Sequence, residues 1–182
     1  CPNRAAISDE LVKDLEKVLQ EADLLFFLKE QVGEDLKFHH EFRVTVADCP
    51  NACSQPQIKD VGIIGALQPA VSDEKCTQCG ECTAICPDHA ISIDDSVSID
   101  RARCMACGKC IKVCPTGKLD AGSKGYRVLL GGKLGRHARL ARELPGIYSG
   151  REVLFIVEAC LSLYKEKSKG KRFAEIVPDD DV

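Results

Sequence analysis

The feature that most constrains this chain is a cysteine pattern that occurs twice. Cys76, Cys79, Cys82 and Cys86 precede Pro87, and Cys104, Cys107, Cys110 and Cys114 precede Pro115, each run reading C-x2-C-x2-C-x3-C-P. Two such runs give the ligand spacing of two [4Fe-4S] cubanes. Three thiolates at x2 intervals wrap one loop around a cube and reach three of its irons. The fourth, expected to open a helix just before proline, points away to the other cube. The expected ligand sets therefore cross over: Cys76, Cys79, Cys82 and Cys114 for one cluster, Cys104, Cys107, Cys110 and Cys86 for the other. A disulfide framework is a poorer reading, because the thiols stand in two tight identical runs and nothing marks a secreted mini-protein. Zinc would be satisfied by two C-x2-C pairs without the repeated x2-x2-x3-P register.

Size and charge narrow the rest. At 182 residues and 45% hydrophobic side chains, the chain can bury one sizeable core and carry a small cluster-held module besides. A net charge of -3 builds no field for nucleic acid or an anionic membrane. No apolar run is long enough to span a bilayer, and the first residues lack the charged and apolar regions of a signal peptide. Twelve cysteines, most with expected cluster duty, point to a reducing cytoplasm. The chain opens on Cys1-Pro2-Asn3 without an initiator methionine, which is compatible with a fragment or a processed form.

In chain order, Ser8 is an expected N-cap with Asp9 and Glu10 in the first turn. Leu11, Leu15, Val18, Leu19, Ala22, Leu25 and Phe26 follow at helical spacing, so a single amphipathic helix is expected to run to about Lys29 or Val32, closed by Gly33. His39 and His40 read as surface or structural histidines. Residues 42–47 alternate as a strand that delivers Cys49 at its end. Cys49 and Cys53 form a C-x3-C pair, which read alone is either a metal site or two buried thiols. Residues 61–67 read as a buried strand whose glycines, Gly62 and Gly65, imply that something lies against the backbone. Between the two cysteine runs, residues 90–93 and 97–99 form a hairpin around Asp94-Asp95-Ser96, with Ala70-Val71 and Leu119-Asp120 as a candidate outer pair. Residues 69–123 are thus expected to be a ferredoxin-like module inserted into a domain made of residues 1–68 and 124–182. Its core is too small to fold well without metal.

After the module a strand, 125–130, enters a glycine-rich turn that the pattern carries into a helix. Lys133, Arg136, His137 and Arg139 make that turn basic. It reads either as an anion site or as an ordinary turn with a solvated basic face. It matches neither a dinucleotide fingerprint nor a P-loop. Residues 151–169 form a closing helix with Val153, Leu154, Val157, Leu161 and Tyr164 inward and Cys160 as a small buried hydrophobe. Residues 165–172 read as a solvated lysine-rich end, and 178–182 as a frayed acidic tail.

Three stretches taken together resemble the sirohaem-dependent sulfite and nitrite reductases, specifically a C-terminal catalytic half with a ferredoxin module inserted, as in dissimilatory and anaerobic types. They are Val46-Ala47-Asp48-Cys49-Pro50-Asn51-Ala52-Cys53, Asp60-Val61-Gly62-Ile63-Ile64-Gly65, and the run from Gly125 to Arg136. The resemblance implies an α+β fold, a sirohaem-reductase-like α/β layer domain interrupted by a bacterial 2[4Fe-4S] ferredoxin-like domain. It also implies a third [4Fe-4S] cluster, held by Cys1, Cys49 and Cys53, with Cys53 bridging to the sirohaem iron and Asn51 beside it. The first ligand, expected six residues before Cys1, lies outside this sequence. Lys133 and Arg136 correspond to a segment that contacts sirohaem carboxylates.

The function so implied is six-electron reduction of sulfite or nitrite, fed by an external low-potential electron donor through the two ferredoxin cubanes. The distal-face groups come from an N-terminal half or partner subunit, so this chain alone is not expected to turn over. A binding-module alternative keeps the ferredoxin clusters on a degenerate reductase scaffold that never loads sirohaem. In a structural alternative, the clusters only staple a small domain.

Overall fold

A computed structural model describes residues 1–37 and 40–177. His39 and the tail expected over 178–182 lie outside the described residues. In chain order the elements are α1 (Asp9–Glu21), α2 (Leu24–Val32), β1 (Val44–Ala47), β2 (Val61–Val71), α3 (Glu81–Ile85), β3 (Ile91–Ile93), β4 (Val97–Ile99), α4 (Lys109–Val113), β5 (Leu119–Leu130), β6 (Arg142–Glu143), α5 (Gly150–Lys167) and α6 (Phe173–Ile176).

Four strands make a mixed sheet in the order β1-β2-β5-β6, with β1 parallel to β2 and the other neighbours antiparallel. Val61, Ile63 and Val128 are fully buried on one face, under Leu11 and Leu15 of α1 and Val153, Val157, Leu161 and Tyr164 of α5. Burial of each such aliphatic side chain contributes about 1.5–3 kcal/mol. On the other face Ile64 and Leu129 meet Ala52, from the loop that carries Cys49 and Cys53. The α+β layer architecture under the two expected helices is therefore present. Helix α5 starts on a capping box between Ser149 and Glu152.

The second sheet is the expected hairpin, β3 with β4. The expected outer pair is also there, because Ala70 faces Asp120 and Val71 faces Leu119 at the far end of the β2–β5 ladder. Strands β2 and β5 run from the main core into the cysteine module, interrupted only by a register shift between Leu67 and Pro69. A second small core gathers Cys82, Cys110, Ile91, Val97 and Leu119.

Four local expectations change. The first helix is two, because Asp23 takes a left-handed conformation (φ 41) between α1 and α2, which an aspartate tolerates better than most residues. The turn re-phases the second segment, so Leu28 is buried while Leu25 and Phe26 are exposed. Ser8 precedes α1, but its hydroxyl donates to Asp48 Oδ1 at 2.5 Å instead of capping. The glycine-rich turn does not lead into a helix; the next element is β6. Lys133 and Arg139 exchange two backbone hydrogen bonds of 2.9 Å, and the Arg139 guanidinium donates to Gly131 O and Ala174 O, which holds the segment as a closed loop. Finally, the lysine-rich end is not wholly solvated. Ser168 is buried, and the chain returns as α6, whose Phe173 is 1% exposed and stacks edge-on to Phe42 at 5.1 Å.

Asp60, just before β2, is buried and accepts a 2.9 Å hydrogen bond from the Arg43 N–H. Burial pushes its carboxyl up to about 6, against the pull of that N–H and of the Arg172 and Arg43 charges. A raised carboxyl binds protons more tightly folded than unfolded, so stability falls as pH rises from about 4 through 6. Asp60→Asn is expected to flatten the pH dependence of urea denaturation across that window and to stabilise the protein at pH 7 by up to about 3 kcal/mol. Parallel pH profiles for variant and parent would contradict the assignment.

Candidate iron-sulfur centres

The two cysteine runs fold as near-copies. In each C-x2-C loop the residue before the second cysteine has positive φ, Gln78 at 53° and Ala106 at 55°, and a left-handed glycine follows, Gly80 at 78° and Gly108 at 68°. These turns curl the backbone so that the first three cysteines of each run line one cavity. The glycines then open the five-residue helices α3 and α4, which carry Cys82 and Cys110 inward. The fourth cysteines close these helices instead of opening them. Cys86 and Cys114 are extended at the helix C-termini, because the residue before a proline is disfavoured in helical conformation.

That exit sends each fourth thiol to the other run. One cavity is lined by Cys76, Cys79, Cys82 and Cys114 together with Ile93, Val97 and Leu119. A second is lined by Cys86, Cys104, Cys107 and Cys110 with Pro69, Ala90 and Ile91. Among the described residues, no three His, Cys, Asp or Glu side chains converge closely enough to share one ion. Four thiols standing around a cavity suit a cube, whose irons sit at separate corners, better than a single zinc.

Backbone N–H groups already point at several of these sulfurs. Gln78, Ala90 and Leu119 donate to the Sγ of Cys76, Cys86 and Cys114, each at 3.3 Å. Burial, followed by the neighbouring Cys107 and Cys104, pushes the Cys110 thiol up to about 11. Cys82 is raised by burial and by Cys114 and Cys76. At Cys114 burial is outweighed by hydrogen bonds from Leu119, Thr116 and Lys118, and its thiol sits below the ordinary range. A cation among the thiols would favour the deprotonated form of the two raised ones, Cys82 and Cys110.

The second candidate centre is the loop after β1. Two glycines of β2 seat it. A Cβ on Gly62 would lie 2.3 Å from Pro56 O, and one on Gly65 would lie 2.4 Å from Asp48 O, so the loop rests on bare strand backbone. Ala52 and Gln55 take positive φ to make the bend. Cys49 is half-buried and Cys53 exposed, and the Asn51 side-chain amide donates to Cys53 Sγ at 2.8 Å. The amides of Ala5 and Ala6 both donate to Asp48 O, at 2.8 and 3.1 Å, which runs the segment bearing the exposed Cys1 alongside this loop.

The basic turn is divided. Arg136 is exposed at its tip. Lys133 pairs with Glu175 at 3.2 Å and lines a pocket of about 80 Å³ with Glu41, Arg43, Asp60 and Arg172, next to the start of β1. Cys49 follows the other end of that strand. Cys160 is buried in the main core, away from the other thiols, as expected.

The two candidate centres meet at one cavity of about 380 Å³, lined from one side by Asn3, Cys49, Pro50 and Asn51 and from the other by Pro87, Asp88, Met105, Cys107 and Lys109. Cys49 of the loop and Cys107 of the second run thus face the same space. Nothing local in the sequence marks Asn3, Met105 or Lys109 as lining residues, since their juxtaposition is created by the β2–β5 ladder.

Residues 10–179 match the family model described as the nitrite and sulphite reductase 4Fe-4S domain. The chain belongs to that family. It is 36% identical over 142 residues to the coenzyme F420-dependent sulfite reductase of Methanocaldococcus jannaschii, a match covering 76% of this chain and 23% of that protein. A functionally unnamed protein of the same archaeon is 32% identical over 153 residues, covering 78% of this chain and 52% of its own length. The chain therefore spans about a quarter to a half of these relatives. Among solved structures, dissimilatory sulfite reductase I shares the fold, with a TM-score of 0.52 at 20% identity over 83% of this chain and 43% of that one. Among the described residues, no helix of this reductase-family domain is long and apolar enough to cross a membrane.

The crossing of the ligand sets has a direct check. Cys114→Ala in the anaerobically loaded protein is expected to remove the EPR signal of the cluster on Cys76, Cys79 and Cys82 and to leave the other cubane. Loss of the Cys104 cluster alone would refute the crossing.

Proposed function

We propose that this chain is the iron-sulfur and sirohaem region of a sulfite or nitrite reductase. In this reading two ferredoxin-type cubanes pass electrons to a third [4Fe-4S] cluster coupled to sirohaem, for six-electron reduction of the bound anion. The observation that carries it is the shared cavity, where Cys49 of one candidate centre and Cys107 of another line the same space. The cubane on Cys86, Cys104, Cys107 and Cys110 is then the one nearest the reductase site, and the cubane on Cys76, Cys79, Cys82 and Cys114 is the outer one that meets the external donor.

Residues 69–123 form the ferredoxin domain and 1–68 with 124–182 the reductase domain. Cys1, Cys49 and Cys53 hold the third cluster, with Cys53 as the bridging thiolate. When bound, sirohaem supplies the iron at which the anion is held and reduced. The chain's own residues position it. Asn51 donates to the Cys53 sulfur at 2.8 Å, and Arg136, exposed at the loop tip, and Lys133, now paired with Glu175, would be the cations for the sirohaem carboxylates. The name of the 36% identical relative favours sulfite as substrate. The N-terminal half or a partner subunit supplies the cationic groups around the anion.

The test is an anaerobic absorption and EPR study of the full-length protein, with iron, sulfide and sirohaem quantified, beside its Cys53→Ser variant. The parent is expected to show two cubanes and a haem-coupled third. The variant is expected to lose the coupled signals and keep the two cubanes. An unchanged haem spectrum in the variant overturns the bridging role. Two cubanes without haem in the parent would instead mark an electron-transfer module on a reductase scaffold.

A further inference from the structure

The loop bearing Cys104 and Cys107 is tied to the reductase sheet, whereas its copy bearing Cys76 and Cys79 is not tied in the same way. Leu67 of β2 donates its N–H to Ala106 O at 2.7 Å and forms a bridge with Cys107. Gly108 sits so close to Leu67 that a Cβ there would lie 2.6 Å from Leu67 Cδ2. Arg127 of β5 adds a side-chain strap, its Nη1 donating to Met105 O at 3.3 Å. Glu143 on the edge strand β6 holds the same guanidinium, accepting from Nε and Nη2 at 2.5 Å each. The Arg127 side chain is only 14% exposed. In the other run, Gln78 reaches the Asp94 carbonyl of the module's own hairpin.

The geometry of the strap is specific to arginine. A planar guanidinium can give one edge to a carboxylate and keep a further N–H for a carbonyl, which an ammonium cannot do in fixed directions. The carbonyl it holds lies between two candidate cluster ligands, and Met105 itself lines the cavity shared with Cys49. We propose that Arg127, oriented by Glu143, is a positioning residue of the electron path. It holds the Cys104–Cys107 loop, and the cubane on it, at a set separation from the Cys49 centre. This rests on the functional reading above and adds to it the group that sets the inter-cluster gap.

The experiment uses the full-length, anaerobically loaded protein and its Arg127→Gln and Arg127→Lys variants. Three readouts are taken: the dipolar EPR distance between the reduced Cys104-set cubane and the Cys49 centre, the rate of electron passage between them, and hydrogen exchange at the Leu67 amide. Both variants are expected to broaden the distance distribution, speed Leu67 exchange and slow the passage about tenfold. Cluster content and the potential of each centre should stay the same, which a merely structural role would not predict. Unchanged distances and rate in the variants, with passage intact in the parent, overturn the positioning role alone. A parent with no passage between the centres overturns the functional reading and the role together. Should Arg127→Gln not retain its clusters, Glu143→Gln is read by the same three measures, and unchanged values there overturn the role.

Discussion

The ladder between β2 and β5 is the constraint on which everything else depends. It runs from Val61 opposite Leu130 to Val71 opposite Leu119. One end lies between helices and the Cys49 loop, and the other end closes the cysteine module. A module hung on flexible linkers would wander relative to the sheet. Here two continuous hydrogen-bonded strands carry it, and the register shift between Leu67 and Pro69 is the one irregularity in their pairing. Pro69 is fully buried there, where a missing N–H does least harm to the ladder, and its carbonyl accepts from Arg101 at 2.7 Å.

The sheet also has to let cysteine loops approach its backbone, and bare strand does this better than side chains. Gly62 and Gly65 admit the loop that bears Cys49 and Cys53. Gly132 lies in the same relation to Gln57 and Lys59, where a Cβ would fall 2.5 Å from Gln57 O. The basic turn therefore closes over the segment that follows Cys53, and the Ala141 N–H donates to Gln57 O at 2.7 Å. A chain of close backbone contacts thus links the β1 loop, the sheet and the turn.

What was legible in the sequence follows from how local each cause is. Cysteine spacing is local, so the two repeated runs, the hairpin at 91–99 and the seats at Gly62 and Gly65 could be read directly. The 3.6-residue period placed α5 and its inward face. The break at Asp23 depends on one backbone conformation that Leu25 and Phe26 do not advertise. The missing helix after Gly132 and the buried return of Phe173 depend on partners tens of residues away: Arg139 on Ala174, Lys133 on Glu175, Phe42 on Phe173. The juxtaposition of Cys49 with Cys107 belongs to the same kind, since only the completed ladder brings the two together. Arg127 carried no signal beyond being a charge in an apolar strand, and Glu143, sixteen residues on, gives it meaning only once β6 is paired.

The proposed electron path has an order: outer cubane, inner cubane, reductase centre, aligned by one pair of strands. Anomalous diffraction at the iron edge from crystals of the loaded full-length protein tests it most directly. The cluster on Cys86, Cys104, Cys107 and Cys110 is expected to lie between the other two and to be the nearer to Cys49. Iron density placing the cluster on Cys76, Cys79, Cys82 and Cys114 nearer to Cys49 would contradict it.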